Sequence, residues 1–108
     1  MPRWLQGALT RIQALAREKK VRFTHKALRE VVALDLGLDA DDCCDVLEQL
    51  TAADTSGRLK SAITLEWMYV FKPEVARARL YLKVILRDDC IIVSFHEGGR
   101  EDGDEDSE

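Results

Sequence analysis

The sequence has 108 residues and a mass of 12.3 kDa, is 46% hydrophobic and 33% charged, and carries a formal net charge of −4. That is the size and balance of one small globular domain, and the composition speaks against a disordered chain. No apolar run approaches the roughly 20 residues that span a bilayer, and Met1-Pro2-Arg3-Trp4 opens no apolar signal segment, so a cytoplasmic protein without a membrane partner is expected.

The charge is unevenly placed. Residues 101–108 (EDGDEDSE) hold six acidic groups and no basic one, which leaves 14 acidic and 16 basic residues, about +2, in residues 1–100. The expectation is a single domain over residues 1–100 and an acidic, disordered tail over residues 101–108, because such a run cannot bury enough apolar surface to pack.

Trp4, Leu5, Ala8, Leu9, Ile12, Leu15 and Ala16 recur at three- and four-residue spacing. This predicts an amphipathic helix from about residue 3 to 19, with Lys19 and Lys20 at its C-terminal end, where the helix dipole favours cations. Val21-Arg22-Phe23 reads as a short extended segment. Thr24 can cap a second helix whose inner face is Ala27, Leu28, Val31, Val32 and Leu34, with Gly37 as a stop. Asp39 can cap a third helix, which presents Cys43, Val46, Leu47 and Leu50. Residues 51–61 are polar and contain Gly57, so they read as a loop. Ile63 to Phe71 is rich in β-branched and aromatic residues and reads as a strand that Pro73 ends. Leu80 to Leu86 and Cys90 to Phe95 read as a hairpin turning through Arg87-Asp88-Asp89. The expected class is α+β, with N-terminal helices packed on a mostly antiparallel C-terminal sheet.

Period-two alternation assigns faces to the hairpin. Leu80, Leu82, Val84 and Leu86 belong under the helices, and Tyr81, Lys83, Ile85 and Arg87 form a polar, basic and aromatic face. On the next strand Ile91, Val93 and Phe95 alternate with Ile92, Ser94 and His96. The register of His96 against Tyr81 and Lys83 stays open, because the turn type is not fixed by the sequence.

The polar residues of this half suit one chemistry. His96, Tyr81, Lys83, Arg87, Lys60, Arg58 and Lys72 together supply the groups for RNA cleavage without a metal or cofactor. That reaction needs a base for the 2′-hydroxyl, an acid for the leaving oxygen and cations on the phosphate. Histidine as a residue type titrates near neutrality and fills either proton role. The plain alternatives are a solvated histidine, a half-buried tyrosine and lysines that keep a sheet face wet. Trp67, Tyr69 and Phe71 alternate on one face and fit a core better than a nucleotide platform. Cys43, Cys44 and Cys90 are an odd set without C-x2–4-C spacing, so neither a disulfide framework nor a zinc site is expected. Glycine-rich phosphate loops and metalloprotease or hydrolase motifs are absent.

Several segments, in order, resemble the MqsR family of type II toxin–antitoxin endoribonucleases. They are Val21-Arg22-Phe23-Thr24 with Ala27-Leu28, Leu36-Gly37-Leu38-Asp39, Val46 to Asp54, and Trp67 through Lys72-Pro73. The most specific are Leu80-Tyr81-Leu82-Lys83-Val84 and Ile91-Ile92-Val93-Ser94-Phe95-His96-Glu97. The resemblance covers most of residues 8–97. It implies a RelE-like RNase fold, an mRNA substrate cut at short motifs without metal, and a cognate antitoxin protein as partner. The family's functional residues include a loop lysine, a glutamine after a tryptophan, a strand tyrosine and a lysine near the C-terminus. Here the tyrosine matches Tyr81, the terminal lysine position holds His96, the glutamine position holds Met68, and the loop lysine falls near Lys60 or Arg58.

The expected assignment is therefore His96, Tyr81 and Lys60 as catalytic residues and Lys83, Arg58 and Arg87 as RNA-binding residues. Histidine for lysine keeps a cation and adds an acid–base group; methionine for glutamine removes hydrogen bonding. The acidic tail is expected to repel RNA or to shield the basic face in cis. The rival expectation is a catalytically inactive protein-binding module of the same fold. Direct DNA binding is not expected of the chain alone, given about +2 over residues 1–100 and no evident recognition helix.

Overall fold

A computed structural model describes residues 2–98; the acidic tail lies outside the described residues. The chain runs α1 (Arg3–Arg17), β1 (Val21–Phe23), α2 (His25–Leu34), α3 (Ala40–Glu48), a 3₁₀ turn (Ala52–Asp54), β2 (Thr55–Lys60), β3 (Trp67–Phe71), β4 (Glu74–Val75), β5 (Ala78–Leu86) and β6 (Cys90–Glu97). The fold is α+β, with three helices in the N-terminal half and a mixed sheet, mostly C-terminal, whose main path is β1-β6-β5-β3-β2. Only the β1–β6 pair is parallel among the described strands, and the two-residue β4 pairs back onto β5.

The helices start where the caps lie. The Thr24 hydroxyl accepts the Ala27 N–H at 3.1 Å, and Asp39 and Asp42 satisfy each other's backbone N–H in a capping box. α2 ends on Asp35, which takes a left-handed conformation. The core lies between α1, α3 and one face of the sheet. It joins Leu5, Ile12 and Leu47 to Phe71, Leu82, Val84, Ile92 and Phe95.

Three expectations change. α2 buries Ala27 and Val31 and packs Leu34 against the core, but Leu28 and Val32, also expected on its inner face, are 47% and 77% exposed. The polar segment expected as a loop contains the 3₁₀ turn and strand β2. An edge strand is held by backbone pairing, here with Trp67–Phe71, and needs no apolar period. Its register slips at Gly57, whose φ of +101° is one that only glycine adopts without strain. The following strand begins at Trp67 rather than Ile63. Ile63 and Leu65 are exposed in a turn where the Ser61 hydroxyl accepts the Ile63 and Thr64 N–H groups.

The hairpin carries the fourth change. Lys83 opposes Ser94 but Val84 opposes Ile92, so Val93 is an extra residue in β6. A bulge of this kind exchanges faces along a strand. Ile92 and Phe95 consequently both enter the helix-side core, where strict alternation put them on opposite faces.

Candidate functional site

β5 and β6 build the centre of the site, on the face turned away from α1 and α3. Their pairing sets Tyr81 opposite His96 and Lys83 opposite Ser94. The Tyr81 and His96 rings stack, with centroids 5.0 Å apart and planes 8° from parallel. His96 Nδ1 lies 2.8 Å from the Glu97 carbonyl oxygen. A carbonyl only accepts, so this contact puts a proton on Nδ1 and makes Nε2 the basic nitrogen of the neutral ring.

Two ammonium groups flank the tyrosine. Lys72 Nζ and Lys83 Nζ each lie 5.9 Å from the Tyr81 ring centroid, within cation–π range. Lys83 is 1% exposed and Ser94 fully buried, so this face is more covered than a solvated polar face. Every buried side-chain nitrogen and oxygen among the described residues has a hydrogen-bond partner, as burial of such groups requires. Ser94 Oγ accepts from Lys26 Nζ at 2.9 Å, and Lys26 pairs with Glu30 at 2.8 Å.

The other expected residues lie elsewhere. Arg58 and Lys60 pair with Tyr69 and Trp67 across β2 and β3, and Tyr69 meets Trp4 of α1 with ring centroids 5.6 Å apart. That puts them on the helix-bearing face, opposite Tyr81 and His96. Arg58 lies over both Trp67 (3.8 Å) and Trp4 (4.9 Å), and Lys60 Nζ lies 4.7 Å from the Trp67 centroid. Trp67 itself is 37% exposed; Phe71, by contrast, is core.

Arg87 lies six residues from Tyr81, about 20 Å along an extended chain. It makes a bidentate pair with Glu66, Nε to Oε2 at 2.8 Å and Nη2 to Oε1 at 2.7 Å. Those bonds, with help from Thr64, hold the Glu66 carboxyl at about 2. Arg87 thereby ties the β5–β6 turn to the β2–β3 turn. Met68 opposes Ile85, so it shares the Tyr81 face further down the sheet.

Sequence reasoning weighed Lys72 without assigning it a role, and missed Lys26 and Glu30. The alternation from Phe71 to Lys72 was the available signal for the first. For the second, an i,i+4 Lys–Glu pair was visible, but not the strand it faces. Burial pushes the Cys43 and Cys90 thiols up to about 12 and raises the Cys44 thiol as well, away from a thiolate near neutrality. Among the described residues no group of three or more His, Cys, Asp or Glu could hold a metal ion, and no helix is long and apolar enough to cross a membrane.

Comparison with known proteins gives two findings. The family described as "Motility quorum-sensing regulator, toxin of MqsA" matches residues 6–97. The chain is also similar to the mRNA interferase toxin MqsR of Escherichia coli (strain K12), 34% identical over 93 residues, covering 82% of this chain and 90% of that relative.

Proposed function

The chain belongs to the MqsR toxin family, and on that premise we propose that it is a toxin-type endoribonuclease that cleaves mRNA by metal-independent acid–base catalysis at the Tyr81–His96 face. The observation that carries this reading is the stacked Tyr81–His96 pair flanked by the Lys72 and Lys83 ammonium groups. His96 Nε2 takes the proton of the substrate 2′-hydroxyl. The 2′-oxygen then attacks the adjacent phosphorus and the bond to the 5′-oxygen breaks. The Tyr81 hydroxyl protonates that leaving oxygen, and the products are a 2′,3′-cyclic phosphate and a 5′-hydroxyl end. Proton transfer from His96 back to Tyr81, through water, resets the site. Lys72 faces the phosphate, and the buried Lys83 adds positive charge beside the ring, where charge builds on the phosphorus-bound oxygens.

Arg58 and Lys60 have a different place in this reading. They lie beyond the reach of the reacting phosphorus and hold RNA that passes round the β2 edge, with Trp67 as a stacking surface. Lys60→Ala then raises KM and leaves kcat nearly unchanged, whereas Lys72→Ala lowers kcat. The reverse pattern would return catalysis to Lys60. A cognate antitoxin neutralises the activity, as the family description implies for the relatives.

One observation favours a second reading. Leu59, 48% exposed, opposes Met68 on the same face, and an exposed apolar group there suits a protein-binding module without turnover. Mass analysis of RNA 3′ ends separates the two. Cyclic phosphate at defined sites supports the nuclease, and intact RNA after incubation with the folded protein and in a translation extract supports the module.

A further inference from the structure

The outer side of β6 is covered in two ways. β1 pairs with it only as far as Ile92, through Phe23. The chain then turns into α2, and residues 93–95 of β6 meet side chains instead of a strand. Glu30 Oε1 accepts the Phe95 N–H at 2.8 Å. Lys26 Nζ donates to Ser94 Oγ at 2.9 Å and to the Val93 carbonyl at 3.4 Å. The two side chains close on each other at 2.8 Å. Glu30 and Lys26 together therefore satisfy backbone and hydroxyl groups on three consecutive residues.

Those three residues are the ones that decide where His96 points. Val93 is the extra residue of the bulge, and the residues after it take the faces the bulge assigns. Without that slip, alternation from Ile92 would put Ser94 and His96 on the helix-side face, and His96 would oppose Leu80 instead of Tyr81. The hydrogen bond that the Phe95 N–H donates to the Glu30 carboxyl group is a strong restraint, placed one residue before His96.

We propose that Glu30 and Lys26 are positioning residues for His96, holding the Val93 bulge and hence the stack of His96 on Tyr81. Its catalytic consequence rests on the nuclease reading above; its geometric content does not. Neither residue touches substrate in this account. They act through β6.

The test uses the full chain and two readouts. The first is the NMR shift of the His96 ring protons, which the stacked Tyr81 ring displaces. The second is kcat and KM for RNA cleavage. Glu30→Ala removes the acceptor for Phe95 and the partner of Lys26. Glu30→Gln keeps an oxygen acceptor for Phe95. Lys26→Met keeps the apolar stem and removes the donors. Val31→Ala weakens the α2 packing without touching the latch.

For Glu30→Ala the His96 shifts move toward their unstacked values, and kcat falls about 10- to 100-fold, the scale of a misplacement near 1 Å. KM changes by less than about 2-fold. Glu30→Gln recovers most of both readouts, and Lys26→Met shows a smaller change of the same sign. Val31→Ala lowers the melting temperature but leaves the His96 shifts and kcat in place. If Glu30→Ala does not fold, Lys26→Met alone decides by the same two readouts. Unmoved His96 shifts in the latch variants would overturn the proposal, as would equal losses in Val31→Ala. If the wild-type protein cleaves no RNA, the nuclease reading fails separately, and the NMR shifts still judge the latch.

Discussion

Glu66 and Arg87 join two turns through a pair whose strength depends on pH in a definite direction. The folded-state value of Glu66, about 2, lies below its ordinary 4.5, so the unfolded chain binds the proton first. The stabilisation is therefore complete above about pH 5 and is lost as pH falls through 4.5 toward 2. Both side chains are partly solvated, at 31% and 49% exposure, which limits the pair to about 1 kcal/mol or less. Arg87→Ala should destabilise the protein at pH 7 and lose that difference near pH 2, read by denaturant unfolding at both values. An equal difference at both would mean that Arg87 acts through packing instead. At the same scale, Tyr81→Phe removes the proposed acid and keeps the ring on which His96 stacks. A loss of about 10²- to 10⁴-fold in kcat is expected, the size of a general acid–base contribution, with the fold intact by circular dichroism. Activity within a few-fold of wild type would take the acid role away from Tyr81.

The elements differ in how openly the sequence announces them. Thr24 is a cap in the sequence and in the fold, and Thr24→Ala should cost about 1 kcal/mol. Thermal unfolding reads this as a fall of roughly 4–8 °C for a domain of this size; an unchanged midpoint would mean that water replaces the Thr24 bond to Ala27 without loss. Caps were legible because they depend on residues three apart. The hairpin was legible for the same local reason, since its turn and alternating strands are continuous in sequence. β2 was not, because an edge strand held by backbone pairing needs no apolar pattern. The bulge at Val93 was not, because nothing in Cys90–Glu97 marks one residue as extra until β5 lies beside it. The site divides along the same line. Tyr81 and His96 stood out by residue type and by resemblance, whereas Lys26 and Glu30 act only because α2 replaces β1 at the edge of β6. Arg58 and Lys60 were grouped with them by charge, and the alternation of β2 and β3 divides them by face.

On the scale of the whole molecule the net charge of −4 conceals about +2 over residues 1–100. RNA binding of this kind is electrostatic and salt-dependent. Removing residues 101–108 should tighten RNA binding at low ionic strength, with the two forms converging as salt is raised; filter binding across a salt series checks this, and identical curves would deny the tail any part in substrate access. The central claim is that the Tyr81–His96 face cuts RNA without a metal. The most direct measurement is cleavage of a defined mRNA in EDTA by purified protein beside His96→Ala. The account predicts site-specific cuts ending in 2′,3′-cyclic phosphate that disappear in the variant. Equal cutting by the two proteins, or cutting by the wild type that EDTA abolishes, would contradict it.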